Sequence, residues 1–182
     1  MGKALGMIEY VSVSLGVAAT DTMVKAAEVD VIEAQVVCPG KYITLIEGEL
    51  SAVKAAVEAA VKNHPDKVID KFVLGNPHES IFPAIYGANE VKNPKALGIL
   101  ETYSAASIIR AADMAAKTSM VDLIEMRIAK GMCGKSYMYL TGEVAAVSAA
   151  IERAKAEVMD SAMFLDSTVI ASPDEKLWKS IL

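Results

Sequence analysis

Two related turns decide this fold, the first at Val36-Val37-Cys38-Pro39-Gly40-Lys41 and the second at Lys130-Gly131-Met132-Cys133-Gly134-Lys135. Proline cannot donate a ladder hydrogen bond, and glycine accepts backbone conformations closed to other residues. The residues on either side of the first turn are rich in β-branched side chains. The first stretch is therefore predicted to be a tight connection between two strands.

The sequence around each turn is repeated along the chain. Residues 4–33 match residues 96–125 without a gap at 12 of 30 positions, and residues 40–59 match residues 134–153 at 9 of 20. The offset grows from 92 to 94 across the turn, so the second copy carries two extra residues there. This self-similarity predicts two domains, at residues 4–86 and 96–182, joined by a linker at residues 87–95 that is rich in Asn and Pro.

Hydrophobic periodicity predicts the same order of elements in each copy. In the first copy we expect strands at residues 5–10, 29–37, 41–47 and 67–74, and helices at residues 13–27, 52–62 and 77–86. Ser51 is the expected N-cap of the second helix. Two strands, a hairpin and two packed helices in each copy predict an α+β fold of the ferredoxin-like type, with an antiparallel sheet in each domain.

Composition excludes several classes of protein. Apolar residues make up 53% of the chain and charged residues 23%, which favours self-association. The net charge of −5, with no basic cluster, argues against nucleic acid, and no apolar run is long enough to span a bilayer. The two cysteines, without an export signal, predict a reducing cytoplasm and thiols that are free or metal-bound.

The matching segments resemble a known family, the bacterial microcompartment shell proteins of the tandem-domain, trimer-forming type. The resemblance covers nearly the whole chain twice, and it is carried by four segments in order and spacing: residues 4–9, 21–27, 38–41 and 48–49. Within the family, the likeness is greatest to the propanediol-utilisation subunits that carry a cysteine in this same loop. The resemblance implies that the protein lies in the cytoplasm, as part of the shell of a bacterial microcompartment.

The resemblance implies a homotrimer that tiles a shell together with other shell proteins around encapsulated redox enzymes, and it implies no enzymatic turnover. Three duplicated chains would form a ring of six similar domains. The resemblance further implies that Cys38 from three chains meets at the threefold axis and holds one iron-sulfur cluster of the 4Fe-4S kind, which would carry electrons across the shell. It places Lys25 and Lys117 at the tile edge.

The residues of the two turns are assigned to the pore or cluster loop. Gly40 would allow close approach of the backbone, Lys41 would offset negative charge, and the amides after Pro39 would face the cluster sulfides. Cys133 pairs in the repeat with Pro39, and not with Cys38, so it is predicted to be a free thiol near the rim. The loop set is Pro39, Gly40, Lys41, Met132, Cys133, Gly134 and Lys135.

Two other interpretations remain open. In the first, Cys38 is bare and the loops surround a cluster-free pore for small metabolites. In the second, which belongs to another class, the chain is a small oligomeric sensor or enzyme that binds a ligand. The second lacks support because neither copy contains a nucleophile triad, a phosphate loop or a metal-ligand spacing.

Overall fold

The computed structural model describes residues 4–91 and 93–182. The first copy contains four strands, β1 (Ala4–Tyr10), β2 (Val29–Val37), β3 (Lys41–Gly48) and β4 (Val68–Leu74). Its helices are α1 (Val13–Ala26), α2 (Leu50–Asn63) and α3 (Ile81–Ile85), and a short 3₁₀ helix at Pro65–Lys67 precedes β4.

The second copy repeats this order. Its strands are β5 (Ala96–Thr102), β6 (Val121–Arg127), β7 (Ser136–Gly142) and β8 (Phe164–Ile170). Its helices are α4 (Ala105–Thr118), α5 (Val144–Met159) and α6 (Glu175–Ile181). No helix in the described part of the chain is both long enough and apolar enough to cross a membrane.

Each copy forms one antiparallel sheet, and the two sheets have the same topology. The strand orders are β2-β3-β1-β4 and β6-β7-β5-β8. Even the register agrees, because Ala4 lies opposite Gly48 in the first sheet and Ala96 lies opposite Gly142 in the second. The predicted α+β class with two tandem domains is confirmed.

Helices cover one face of each sheet, and a matching glycine allows the closest contact. A Cβ atom on Gly6 would lie 2.6 Å from Val53 of α2, and one on Gly98 would lie 2.9 Å from Val147 of α5. Any larger residue at either strand position would push the helix away. The core of the first copy is built on this face, from Ala4, Ile8, Tyr10, Ala19, Met23, Ile46, Val53, Ala56, Val57 and Ala60.

The compact units of the structure interleave the two copies. The first unit consists of the chain up to Pro77 together with Ser104–Ser107 and Ala129–Lys135. The second unit consists of His78–Tyr103, Ile108–Ile128 and Ser136–Leu182. The start of α4 and the second turn thus belong to the first unit, although the repeat assigns them to the second copy.

Two details of the helices differ from the prediction. Ser51 does not cap α2, because the helix begins at Leu50 and the carbonyl of Glu49 already accepts a hydrogen bond from the Val53 amide at 2.9 Å. The predicted helix at 77–86 is shorter, at Ile81–Ile85. Before it, the His78 ring nitrogen Nδ1 and the Ser80 hydroxyl form a local hydrogen bond of 2.8 Å.

Candidate functional site

The first turn is short and presents the Cys38 thiol at its start. Cys38, Pro39 and Gly40 join β2 to β3, the Cys38–Pro39 peptide bond is cis, and Gly40 has φ = 103°. Cys38 is a half-buried free cysteine. The Gly40 amide donates a hydrogen bond to the Val37 carbonyl at 2.9 Å, so this amide closes the turn and does not point to an external acceptor.

The second turn is longer and follows a different path. Ala129, Gly131, Cys133 and Gly134 all have positive φ, between 51° and 84°. Only glycine adopts such angles without strain, so two non-glycine residues are held there by the surrounding loop. Cys133 is an exposed free cysteine and Met132 is half-buried. The location of Cys133 near the rim stays a prediction.

The first unit brings these two turns together. The Cys38 amide donates to the Ala129 carbonyl at 3.2 Å. A Cβ atom on Gly134 would lie 2.9 Å from the Lys41 ammonium and 3.1 Å from the Cys38 carbonyl oxygen, and Gly134 has φ = 84°, so both the close approach and the backbone angle favour glycine. All seven predicted loop residues therefore lie in the first unit together with Cys38: Pro39, Gly40, Lys41, Met132, Cys133, Gly134 and Lys135.

Lys41 has a partner that the sequence did not predict. Its ammonium lies 2.9 Å from Oε1 of Glu9, a carboxylate that is completely buried, while Lys41 itself is 16% exposed. Oε2 of Glu9 accepts the amide hydrogen of Ala105, the first residue of α4, at 2.9 Å. Burial raises the pKa of Glu9 above its ordinary value, and the interactions with Lys41 and Ala105 oppose that rise.

A second carboxylate binds the same helix start. Asp70 on β4, which lies beside Glu9 in the sheet register, accepts hydrogen bonds from the hydroxyls of Ser104 and Ser107. The Ser107 amide in turn donates to the Ser104 hydroxyl oxygen at 3.0 Å, which caps the helix. Neither carboxylate was predicted to belong to the site, although both recur in the second copy as Glu101 and Asp166.

The two lysines predicted at the tile edge have different surroundings. Lys25 is exposed and pairs with exposed Asp21 at 2.6 Å one helical turn away. Lys117 makes the equivalent pair with Asp113 at 2.7 Å, but the Asp113 side chain is only 5% exposed. Asp113 also accepts the His78 amide hydrogen at 2.8 Å.

A groove of about 530 Å³ lies in the second unit, on the face of the sheet opposite α5. The rings of Tyr137 and Tyr139 are 4.5 Å apart in it, the Arg127 guanidinium lies 5.7 Å from the Tyr137 ring centre, and Arg127 pairs with Glu125 at 3.0 Å. Burial, helped by the charge of Glu125, raises the pKa of Tyr137 to about 12. The apolar lining is Leu97, Ile99, Ile170, Leu177 and Ile181.

No set of three or more His, Cys, Asp or Glu side chains able to hold a metal ion occurs among residues 4–91 and 93–182. One chain offers a single thiol in the first turn, and a cluster needs several thiolate ligands. The chemistry of the donor therefore fits an iron-sulfur cluster only if several chains contribute Cys38 to the same site.

Known proteins match this sequence, and one of them matches it over both copies. The model of the BMC domain matches residues 4–77 and again residues 96–173. The chain is 36% identical over 182 residues to the bacterial microcompartment shell protein PduT of Citrobacter freundii, covering 100% of this chain and 99% of that protein. The carboxysome shell protein CsoS1 of Prochlorococcus marinus is 38% identical over 92 residues, which are 49% of this chain and 89% of CsoS1.

Solved structures give the same result. A crystal structure of a microcompartments protein from Desulfitobacterium hafniense DCB superimposes with a TM-score of 0.86 at 44% identity, covering 98% of this chain and 99% of that one. The fused permuted hexameric shell protein of the RMM microcompartment has a TM-score of 0.67 at 26% identity, over 87% of this chain and 84% of that chain.

Two copies of one four-stranded α+β domain, each matched to the same family model, define a tandem-domain structural subunit of a microcompartment shell. The chain belongs to the BMC-domain family of microcompartment shell proteins. The family resemblance noted from the sequence is therefore confirmed.

Proposed function

We propose that this shell protein works as a homotrimer, which tiles the shell with other shell proteins and carries a 4Fe-4S cluster on its threefold axis. The observation that carries the proposal is the free Cys38 thiol in the turn between β2 and β3, present once per chain. Because one thiol cannot hold a cluster, the proposal requires three chains to bring their first turns together.

The chain's own residues would hold and orient this thiol. Pro39 and Gly40 keep the turn short, and the hydrogen bond from the Cys38 amide to the Ala129 carbonyl ties the turn to the second loop. Gly134 allows that loop to pack directly on Cys38 and Lys41. A bound cluster would supply one-electron transfer between the two sides of the shell, with encapsulated redox enzymes as its partners.

The matched cysteine pair tests the cluster directly. Protein purified under anaerobic conditions should contain about four irons and four sulfides per three chains, with a visible absorption band. Cys38→Ser should remove iron, sulfide and band, whereas Cys133→Ser should keep all three. Iron-free protein with an unmodified Cys38, or equal loss in both variants, would overturn the cluster.

A second function, a pore without a cluster, has its own supporting observation. Lys41 is committed to Glu9, and the Gly40 amide to Val37, so neither is free to neutralise or solvate a cluster in the way the sequence suggested. In this case the loops would line an opening for small metabolites. Iron-free trimers whose Cys38 reacts fully with a thiol reagent would favour this function.

A further inference from the structure

We propose that the start of α1 in one chain docks on the groove face of the second sheet in another copy of the same chain, with Glu101 and Asp166 as its acceptors. This inference rests on the proposed homotrimer and names the residues that join its subunits. The occupant of the groove is therefore a second copy of this protein.

The two sheets carry equivalent pairs of carboxylates. Glu9 and Asp70 lie side by side in the first sheet, and Glu101 and Asp166 lie side by side at the same register in the second. Glu9 is fully buried, whereas Glu101 is half-buried and has no hydrogen bond or ion pair described within residues 4–91 and 93–182.

The hydrogen bonds of Asp70 and Asp166 agree at one side-chain oxygen and differ at the other. In each, Oδ1 accepts the amide hydrogen of the next residue at 2.8 Å. Oδ2 of Asp70 accepts two serine hydroxyls, whereas Oδ2 of Asp166 has no such donor in the described part of the chain. The second pair of carboxylates thus has the arrangement of the first pair without its ligand.

The groups that bind Glu9 and Asp70 have equivalents at the start of α1. The repeat pairs Ser104 with Ser12 and Ala105 with Val13. Ser104 binds Asp70, but Ser12, the N-cap of α1, makes no side-chain cap hydrogen bond. A helix start carries positive partial charge and free amide hydrogens, so it complements two carboxylates.

The equivalent helices α1 and α4 differ in their exposed apolar surface. Val13 and Val17 of α1 are 36% and 51% exposed, whereas their equivalents in α4, Ala105 and Ile109, are completely buried. Removing valine side chains of this kind from water favours association.

On the receiving side, Ile43 and Leu45 of the first sheet are completely buried. Their equivalents Tyr137 and Tyr139 line the open groove. Each chain therefore offers one unoccupied acceptor face and one unoccupied helix start. Contacts of this head-to-tail kind continue from chain to chain until the ring closes.

The test uses two variants that damage opposite sides of the contact. Glu101→Ala with Asp166→Ala removes the acceptors. Val13→Pro removes the amide donor and replaces the exposed valine side chain at the helix start, and α1 should still form because proline is tolerated in the first turn of a helix. Native mass spectrometry and sedimentation over a dilution series should show association about tenfold to hundredfold weaker for each, with unchanged circular dichroism.

Mixing the two variants sharpens the result. In the mixture, the intact α1 start of the acceptor variant can bind the intact carboxylates of the donor variant. The opposite contact lacks both the amide donor and the carboxylates, so the ring cannot close. We therefore expect open two-chain species and no closed trimers. Glu152→Ala with Asp160→Ala, two exposed acids on and beside α5, is the matched control and should associate like the wild type.

The outcomes separate the two proposals. Wild-type protein that is monomeric at every concentration would overturn the homotrimer. If the wild type is a trimer and both the acceptor variant and the donor variant associate as strongly as the wild type, this contact is overturned and the homotrimer still stands.

Discussion

Helices α1 and α4 come from the same repeated sequence but lie in different environments. In α4, seven apolar residues are fully buried: Ala105, Ala106, Ile108, Ile109, Ala111, Ala112 and Ala115. In α1 only Gly16, Ala19 and Met23 are buried, and four valines at or near the helix are at least 36% exposed. The two copies thus differ less in their fold than in what covers them.

The equivalent carboxylates of the two copies show a contrast in the opposite direction. Glu9 is buried against Lys41 and the start of α4, while Glu101 is half-buried in the equivalent place. This contrast is the observation behind the proposed contact between chains, in which a second copy would cover the exposed surfaces.

The largest effect is expected at the buried ion pair. Lys41→Met would leave the Glu9 carboxylate buried without its cation, and we expect the free energy of unfolding to fall by about 3–5 kcal/mol near pH 8. Lys135→Met, the matched change in the second copy, should cost less than about 1 kcal/mol because no ion pair is described for Lys135. Urea unfolding at a fixed chain concentration measures both. Equal losses would show that the copies do not differ here.

A steric difference should give the next largest effect. Gly16 of α1 corresponds to Ile108 of α4, and a Cβ atom on Gly16 would lie 2.3 Å from Cβ of Tyr42. Gly16→Ala should therefore lower the free energy of unfolding by about 1–3 kcal/mol, although alanine is the better helix former. Ser14→Ala, an exposed change on the same helix, is the control and should be nearly neutral. A stabilised Gly16→Ala variant would contradict the close contact.

The pH dependence of stability should report on Glu9. Its pKa is raised in the folded protein, so the folded state holds this proton more tightly than the unfolded state does. As pH rises above 4.5, the wild type should therefore lose stability relative to Glu9→Gln, by at most about 1.4 kcal/mol per pH unit. Urea titrations of both proteins from pH 4 to pH 8 measure the difference. A difference that does not change with pH would contradict the raised pKa.

The smallest effect separates the two edge lysines. Lys117→Met removes the partner of the nearly buried Asp113 and should cost about 1 kcal/mol, whereas Lys25→Met removes an exposed pair and should cost less than about 0.5 kcal/mol. Thermal unfolding in low and high salt checks this order. A larger loss for Lys25→Met in the isolated protein would contradict the difference in burial.

Much of the fold was predictable because it depends on local pattern. Alternating strands, helical spacing and the Cys38-Pro39-Gly40 turn each depend on a few neighbouring residues, and the duplication let one copy check the other. The errors lie at helix ends. Ser51 failed as a cap because the backbone geometry at Glu49, not the side chain preference at the next positions, decides where α2 begins.

The candidate site was only partly predictable. The residues of the two turns could be selected from sequence, but the ion pair of Glu9 with Lys41 joins positions 32 apart, and the contact of Glu9 with Ala105 joins positions 96 apart. No periodicity reports on such contacts. The groove beside Tyr137 was missed for the same reason, since its lining comes from four strands and a helix.

The amino-acid sequence by itself determined the duplicated α+β domain, the position of the two turns and the family to which the chain belongs. Only the tertiary structure decided which of two equivalent helices and which of two equivalent carboxylate pairs are covered. Similar segments have similar local preferences, so the sequence predicts the same elements in both copies. Burial and hydrogen bonding depend on distant parts of the chain, and these parts contact one copy but not the equivalent positions of the other.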